Sequence, residues 1–347
     1  MSTFTIIILT IIILLALFLP FSVHKVEQQL EVFLFVLGII AVTAIGAWDL
    51  ELVHDAITEP VKISLAVLSI GLLFKEFKKH ISKIIEFMEE KIGLKYTIIV
   101  LVGVLGLSSS VITAIVAALV LCEVAATLRL TRRDTIHVIV MGCFAIGFGA
   151  ILTPIGEPLS TIVISKLSGE PHHAGFFYLL GMLWYLIIPG VCFFAYRASL
   201  IQDEQIKIHQ RVETDTTKDI IIRAAKVYLF IMALVLFGHG LTPLAEISIM
   251  KLPLAALYFA NSISAILDNA TLAAAEIVPS MSNTQIEFLL MGLVISGGFL
   301  IPGNIPNIIC ASKFKIKSKE WARQALPIGI GCMLFYFIML EILPKVN

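Results

Sequence analysis

Residues 94–128 read LKYTIIVLVGVLGLSSSVITAIVAALVLCEVAATL, an apolar run of 35 residues. A helix rises 1.5 Å per residue, so one unbroken helix of that length would measure about 52 Å, against about 30 Å of bilayer hydrocarbon. The run is too long for one crossing and too short for two crossings with a turn. Gly106 and the triplet Ser108-Ser109-Ser110 interrupt its middle. The stretch therefore reads as a re-entrant helical hairpin, which enters from one side, turns at mid-depth and leaves by the same side. Non-helical backbone at that depth is tolerated only against protein or a wet cavity. Residues 250–281 form a second such run, of 32 residues, with the polar break Ser262-Ile-Ser264-Ala-Ile-Leu-Asp268-Asn269 at its centre.

The rest of the chain sets these hairpins in a membrane. Of 347 residues, 59% are hydrophobic and 14% charged, and the mean hydropathy is +0.98. A soluble domain has about 45–50% apolar and about 25% charged residues. That excludes a soluble enzyme, a nucleic-acid binder and a disordered chain. Further apolar runs at 4–22, 30–48, 59–76, 132–150, 175–198, 223–243, 284–300 and 321–343 read as transmembrane helices. The first lacks the basic n-region and the cleavage site of a signal peptide. All but Lys62, Lys166, Lys251 and Lys345 of the 25 Lys and Arg fall at Lys25 and in segments 75–95, 129–133, 197–226 and 313–323. If 94–128 is a hairpin, all of those lie on one side, as the positive-inside rule requires.

The expected fold is an all-α polytopic membrane protein built as an inverted-repeat transporter, with two re-entrant hairpins and two Pro-broken helices. Residues 1–58 hold two N-terminal helices. Residues 59–198 form the first repeat, with an inward-opening hairpin at 94–128. Residues 199–222 are a polar cytoplasmic linker, and 223–347 form the second repeat, with an outward-opening hairpin at 250–281. Residues 77–92 read as an amphipathic interfacial helix. Interrupted helices meeting at mid-membrane mark secondary transporters.

The breaks carry the chemistry. Pro154 and Pro158 in Thr153-Pro-Ile-Gly156-Glu157-Pro158 remove backbone donors and stop the helix, as do Pro302 and Pro306 around Gly303 and Asn304. Freed carbonyls suit Na⁺ or similar ions, and helix N-termini favour anions. Glu157 in the first break and Asp268, beside Asn269 at the second hairpin tip, are carboxylates at a depth where each costs at least about 2.5–3.5 kcal/mol. They are expected to bind a cation or exchange it for a proton. Ser109, Ser110 and Thr113 in one hairpin, Ser264 in the other, and the carboxamides of Asn304 and Asn307 supply further oxygen ligands. Glu123 and Glu276, on the outgoing arms, read as interfacial. His239 reads as a buried imidazole, His172 and His173 lack a third metal ligand, and the five cysteines read as small buried hydrophobes. No Walker motif, GxGxxG, HExxH or nucleophile elbow is present, so no enzyme chemistry and no cofactor is expected.

These motifs resemble the ion transporter superfamily, which includes NhaD-type sodium/proton antiporters, arsenite exporters, citrate transporters and divalent anion/sodium symporters. Residues 153–158 are similar to the TPIGDPP-type motif of the antiporter branch, and Ser264 to Asn269 to its SA-x-x-DN motif. Pro302-Gly-Asn-Ile-Pro-Asn307 is similar to the signature of a prokaryotic family of predicted cation transporters. The resemblance covers residues 95–345. It implies elevator-like motion, ion sites between each hairpin tip and the neighbouring break, a homodimer, and a multi-pass location in a prokaryotic plasma membrane. The Ser-Asn-Thr signature of the dicarboxylate branch is absent. The expected function is secondary active cation transport by Na⁺/H⁺ antiport, with Glu157, Asp268 and Asn269 as the Na⁺ candidates. The alternatives are a Na⁺-coupled symporter of a small carboxylate or oxyanion, and a channel-like protein.

Overall fold

The computed structural model describes residues 3–23, 25–26, 29–128, 130–201, 216–249, 253–266 and 269–342. Every regular element among them is helical. Six helices are long and apolar enough to cross a bilayer: Leu50–Leu73, Lys83–Ile112, Arg132–Ala150, Tyr178–Ala198, Thr217–Leu241 and Ser318–Ile342. The surface is apolar at positions such as Leu65, Val111 and Phe335. A soluble protein would not leave such positions to water, and a bilayer covers them. The chain is a multi-pass membrane protein.

Helices α1 (Thr3–Ser22) and α2 (Leu30–Ile45) lead into α3 (Leu50–Ile112), which Asp49 caps by accepting from the Leu52 N–H at 2.7 Å. α2, at 16 residues, is shorter than the six crossing helices, as is the apolar stretch Phe4–Pro20 within α1. The expected helix 59–76 and amphipathic segment 77–92 are one continuous run within α3. Its one non-helical residue is Gly93, whose φ of 80° kinks the helix ahead of the first hairpin.

The first hairpin departs from expectation in the place of its turn. Ser108, Ser109 and Ser110 stay helical because each hydroxyl donates to the carbonyl three residues back, Leu105, Gly106 and Leu107. The chain breaks instead at Thr113 (φ 74°, ψ 149°), whose Oγ1 accepts from the Val116 N–H at 3.3 Å and starts α4 (Ala114–Ala125). α4 packs back along α3. At 12 residues it is about 18 Å long and cannot cross.

Thr131 caps α5 (Arg132–Ala150), whose bounds match the expected 132–150. From Ile136 to Ala150 every residue of α5 is buried. After the first break come α6 (Pro158–Lys166) and α7 (Tyr178–Ala198). The linker expected at 199–222 lies mostly outside the described residues, and α8 (Thr217–Ile249) begins six residues earlier than the expected 223.

The run expected as the second hairpin holds α9 (Leu254–Ala260), a 3-10 turn (Asn261–Ala265) and α10 (Asn269–Glu276). A Ser282–Gln285 capping box starts α11 (Asn283–Gly297), buried from Phe288 to Gly297. At 15 residues α11 is shorter than the expected 284–300 crossing. Beyond the second break lie α12 (Ile305–Phe314) and α13 (Ser318–Ile342).

α5 and α11, each buried over most of its length, thus form the centre, and a helix stretch that is apolar all round belongs in a core. α4 packs on α12, and α10 packs on α6. Each hairpin's outgoing arm therefore meets the short helix beyond the other break. At one end of the bundle Arg132 ties α5 to the end of α12, donating to the Phe314 and Lys315 carbonyls and pairing with Glu320 at 2.8 Å.

Candidate functional site

Each break is a helix end whose carbonyls need partners. α5 ends at Ala150 and α6 begins at Pro158, capped by Glu157 in extended conformation (φ −158°, ψ 162°). α11 ends at Gly297 and α12 begins at Ile305, capped by Asn304 (φ −155°, ψ 147°). One side chain, three residues after each cap, spans each break. Ser160 donates to the Thr153 carbonyl at 2.7 Å. Asn307 donates through Nδ2 to the Gly297 and Leu300 carbonyls at 2.8 and 3.0 Å. Ser160 was missed in the sequence. Aligning the two breaks on their caps would have found it, because it stands where Asn307 stands.

Two glycines permit the closeness. A Cβ on Gly156 would collide with the Ala150 carbonyl oxygen. One on Gly303 would lie 2.6 Å from the Gly297 oxygen and 2.9 Å from that of Ser264. Pro154 and Pro302 form the turns and do not face the cavity described below.

The two runs expected as hairpins bond to the broken helices. The Ala114 N–H donates to the Gly156 carbonyl at 2.8 Å, and Thr153 Oγ1 donates to the Ser110 carbonyl. Ser109 Oγ reaches the Ile146 carbonyl at 3.0 Å, and Ser264 Oγ reaches the Leu293 carbonyl at 3.3 Å and Ser296 Oγ at 2.6 Å. Ile146 and Leu293 each lie four residues before the end of their helix. Ser109, Ser110, Thr113, Thr153, Ser264 and Asn307 were expected as ion ligands. Their described bonds run to protein: Ser109, Thr153 and Ser264 join hairpin run to broken helix, Ser110 and Thr113 bond within their own run, and Asn307 spans its own break.

What these clamps bring together is a set of four helix N-termini. α4 contributes Ala114, α6 Glu157, α10 Asn269 and α12 Asn304 to one cavity of about 30 Å³. Glu157 is 9% exposed and Asn269 is 4% exposed. About 10–15 Å³ holds one water, whereas organic ligands occupy about 300–1,000 Å³. The cavity is sized for a small ion. Each N-terminus carries up to about half a positive charge, which favours an anion or an ionised carboxylate. Glu157 places that carboxylate at the head of α6. Of the expected ligands, Gly156, Glu157, Asn269 and Asn304 line the cavity. Asp268 lies outside the described residues.

Elsewhere the structure corrects single residues. Glu123 is paired with Lys313 at 2.7 Å across α4 and α12. Glu276 is buried rather than interfacial, and the side chain of His239 is exposed. His172 Nε2 meets the Met281 carbonyl at 2.8 Å and binds two loops together. Among the described residues no three His, Cys, Asp or Glu side chains form a metal site. The chain matches none of the curated proteins. Over residues 6–343 it matches the family described as Protein of unknown function (DUF1646), and it belongs to that family.

Proposed function

We propose that this protein is a secondary active cation transporter that exchanges Na⁺ for protons by elevator-like alternating access. The observation that carries the reading is the ion-sized cavity in which two helix breaks and two hairpins place four helix N-termini around Glu157. Substrate sites at the junction of interrupted helices are the general plan of inverted-repeat transporters. The equivalent clamps Ser109–Ile146 and Ser264–Leu293, and the equivalent caps Glu157 and Asn304, support an inverted repeat with two re-entrant hairpins. Glu157 supplies the charge that lets a cation sit among positive helix ends, and the Asn269 and Asn304 carboxamides supply neutral oxygens. A prokaryotic plasma membrane and a homodimer, both implied by the family resemblance, belong to the same proposal.

The four N-termini also favour a second reading, a Na⁺-coupled symporter of a small oxyanion. Proteoliposomes separate the two. A Na⁺ gradient alone that changes internal pH supports antiport. Na⁺-dependent uptake of a labelled anion, with no Na⁺-driven pH change, supports symport and overturns the first reading.

A further inference from the structure

At the far end of α10 from the cavity, a second buried polar pair joins the hairpin to its own base. Asn261 is fully buried and Glu276 is 4% exposed. Asn261 Nδ2 donates to Glu276 Oε2 at 3.1 Å and to the Leu289 carbonyl at 3.4 Å. Both amide protons are therefore used, and two acceptors fix which end of the carboxamide is nitrogen. That leaves Asn261 Oδ1 and Glu276 Oε1 buried with no partner among the described residues. Two acceptor-only atoms left unpaired in one buried pair are costly, since each has given up water without gaining a donor.

A single proton removes both defects. A carboxylic acid and a primary carboxamide form a cyclic pair, in which the acid O–H donates to the amide oxygen while the amide N–H donates to the acid carbonyl. We propose that Glu276 is a proton-binding site: Oε1 takes up a proton and donates it to Asn261 Oδ1, closing the ring that Nδ2 and Oε2 already half form. This rests on the antiport reading above, to which it adds the group that carries the exchanged proton.

Position and surroundings agree. Glu276 is the last residue of α10, and a helix C-terminus disfavours a carboxylate as strongly as an N-terminus favours one. Glu157 stands at a helix N-terminus, so the two acids sit at opposite poles. Such a pair divides naturally into an ionised and a protonated member. The other hairpin offers the contrast. There Glu123, near the end of α4, receives an ammonium from Lys313 of α12. The corresponding Lys166 of α6 reaches the Ile277 carbonyl at 3.4 Å, and Glu276 receives an amide. From the other elements against α10, α11 brings Glu287, bonded to Tyr185 at 2.9 Å, and α8 brings His239, exposed; neither pairs with Glu276. Asn269 and Glu276 begin and end the same helix, about 10 Å apart, so displacement of α10 by an ion at the cavity is felt at the proton site.

Infrared difference spectroscopy of the full chain in phosphatidylethanolamine–phosphatidylglycerol vesicles tests this across a pH titration. Wild type is expected to show a protonated-carboxyl stretch that is lost in Glu276→Gln, whose amide reproduces the ring, and shifted in Asn261→Ala, which removes its partner. Glu276→Asp is expected to keep the stretch at a displaced midpoint. The same vesicles should lose Na⁺-driven pH change in Glu276→Gln while keeping thermal stabilisation by Na⁺. An unchanged stretch in Glu276→Gln overturns the site. A stretch lost in Glu276→Gln, together with a wild type that shows no Na⁺-driven pH change, leaves the proton site standing and overturns antiport.

Discussion

Glu157 and Asn304 occupy the same position in two separate breaks: each caps the helix that follows in the same extended conformation, and each faces the same cavity. One carries a carboxyl group and the other a carboxamide. The cavity therefore holds one described carboxylate among four positive helix ends, and moving that charge between the two caps is the sharpest manipulation available. Asn304→Asp in a Glu157→Gln background should recover part of the Na⁺-induced thermal stabilisation that Glu157→Gln alone abolishes. Thermal unfolding in detergent with and without Na⁺ measures it, and recovery no greater than for Asn304→Ala would show that the two caps are not equivalent.

Asn307 and Ser160 answer to stability rather than transport. Asn307→Ala leaves the Gly297 and Leu300 carbonyls without its donors, and a buried acceptor so exposed costs about 1–3 kcal/mol. Ser160→Ala should cost less, since one hydroxyl proton is shared between the Thr153 and Glu157 carbonyls. The midpoint of thermal unfolding should fall in that order.

Gly156→Ala and Gly303→Ala should abolish the folded, extractable protein or its flux, because the added methyl meets backbone oxygens that cannot retreat. Gly181→Ala, with nothing within 4 Å, should behave as wild type. Size-exclusion profiles of the three variants check this.

Cys122 and Cys310 bring their sulfurs to 3.1 Å across α4 and α12. A disulfide needs about 2.05 Å, so diamide, which takes the two hydrogens of the thiols, should join them with little movement. If α4 and α12 travel together during transport, the linked protein keeps its flux. Loss of flux on linking, reversed by reductant and absent in Cys122→Ala, would show that they move apart.

Much of this was legible in the sequence. The bounds of α5 were legible because its apolar run starts at 132 and the Pro154 break follows it, both local signals. The turn at Thr113 was not, because the serine triplet satisfies its own hydroxyls and stays helical, and nothing local marks the positive φ that follows. Run length alone put Glu276 near water. Its burial depends on Asn261 and on α11, neither of which a one-dimensional reading can bring to it. The partnership of Glu123 with Lys313 was hidden for the same reason, since 190 residues separate them.

The central claim is that Glu157, among four helix N-termini, holds the exchanged cation. An imposed Na⁺ gradient across vesicles containing the purified protein, read by an internal pH dye, tests it most directly. Wild type should acidify or alkalinise the lumen according to the gradient's direction, and Glu157→Gln should show no response at unchanged insertion and unchanged thermal stability in Na⁺-free buffer. A response of wild-type size in Glu157→Gln would contradict the account.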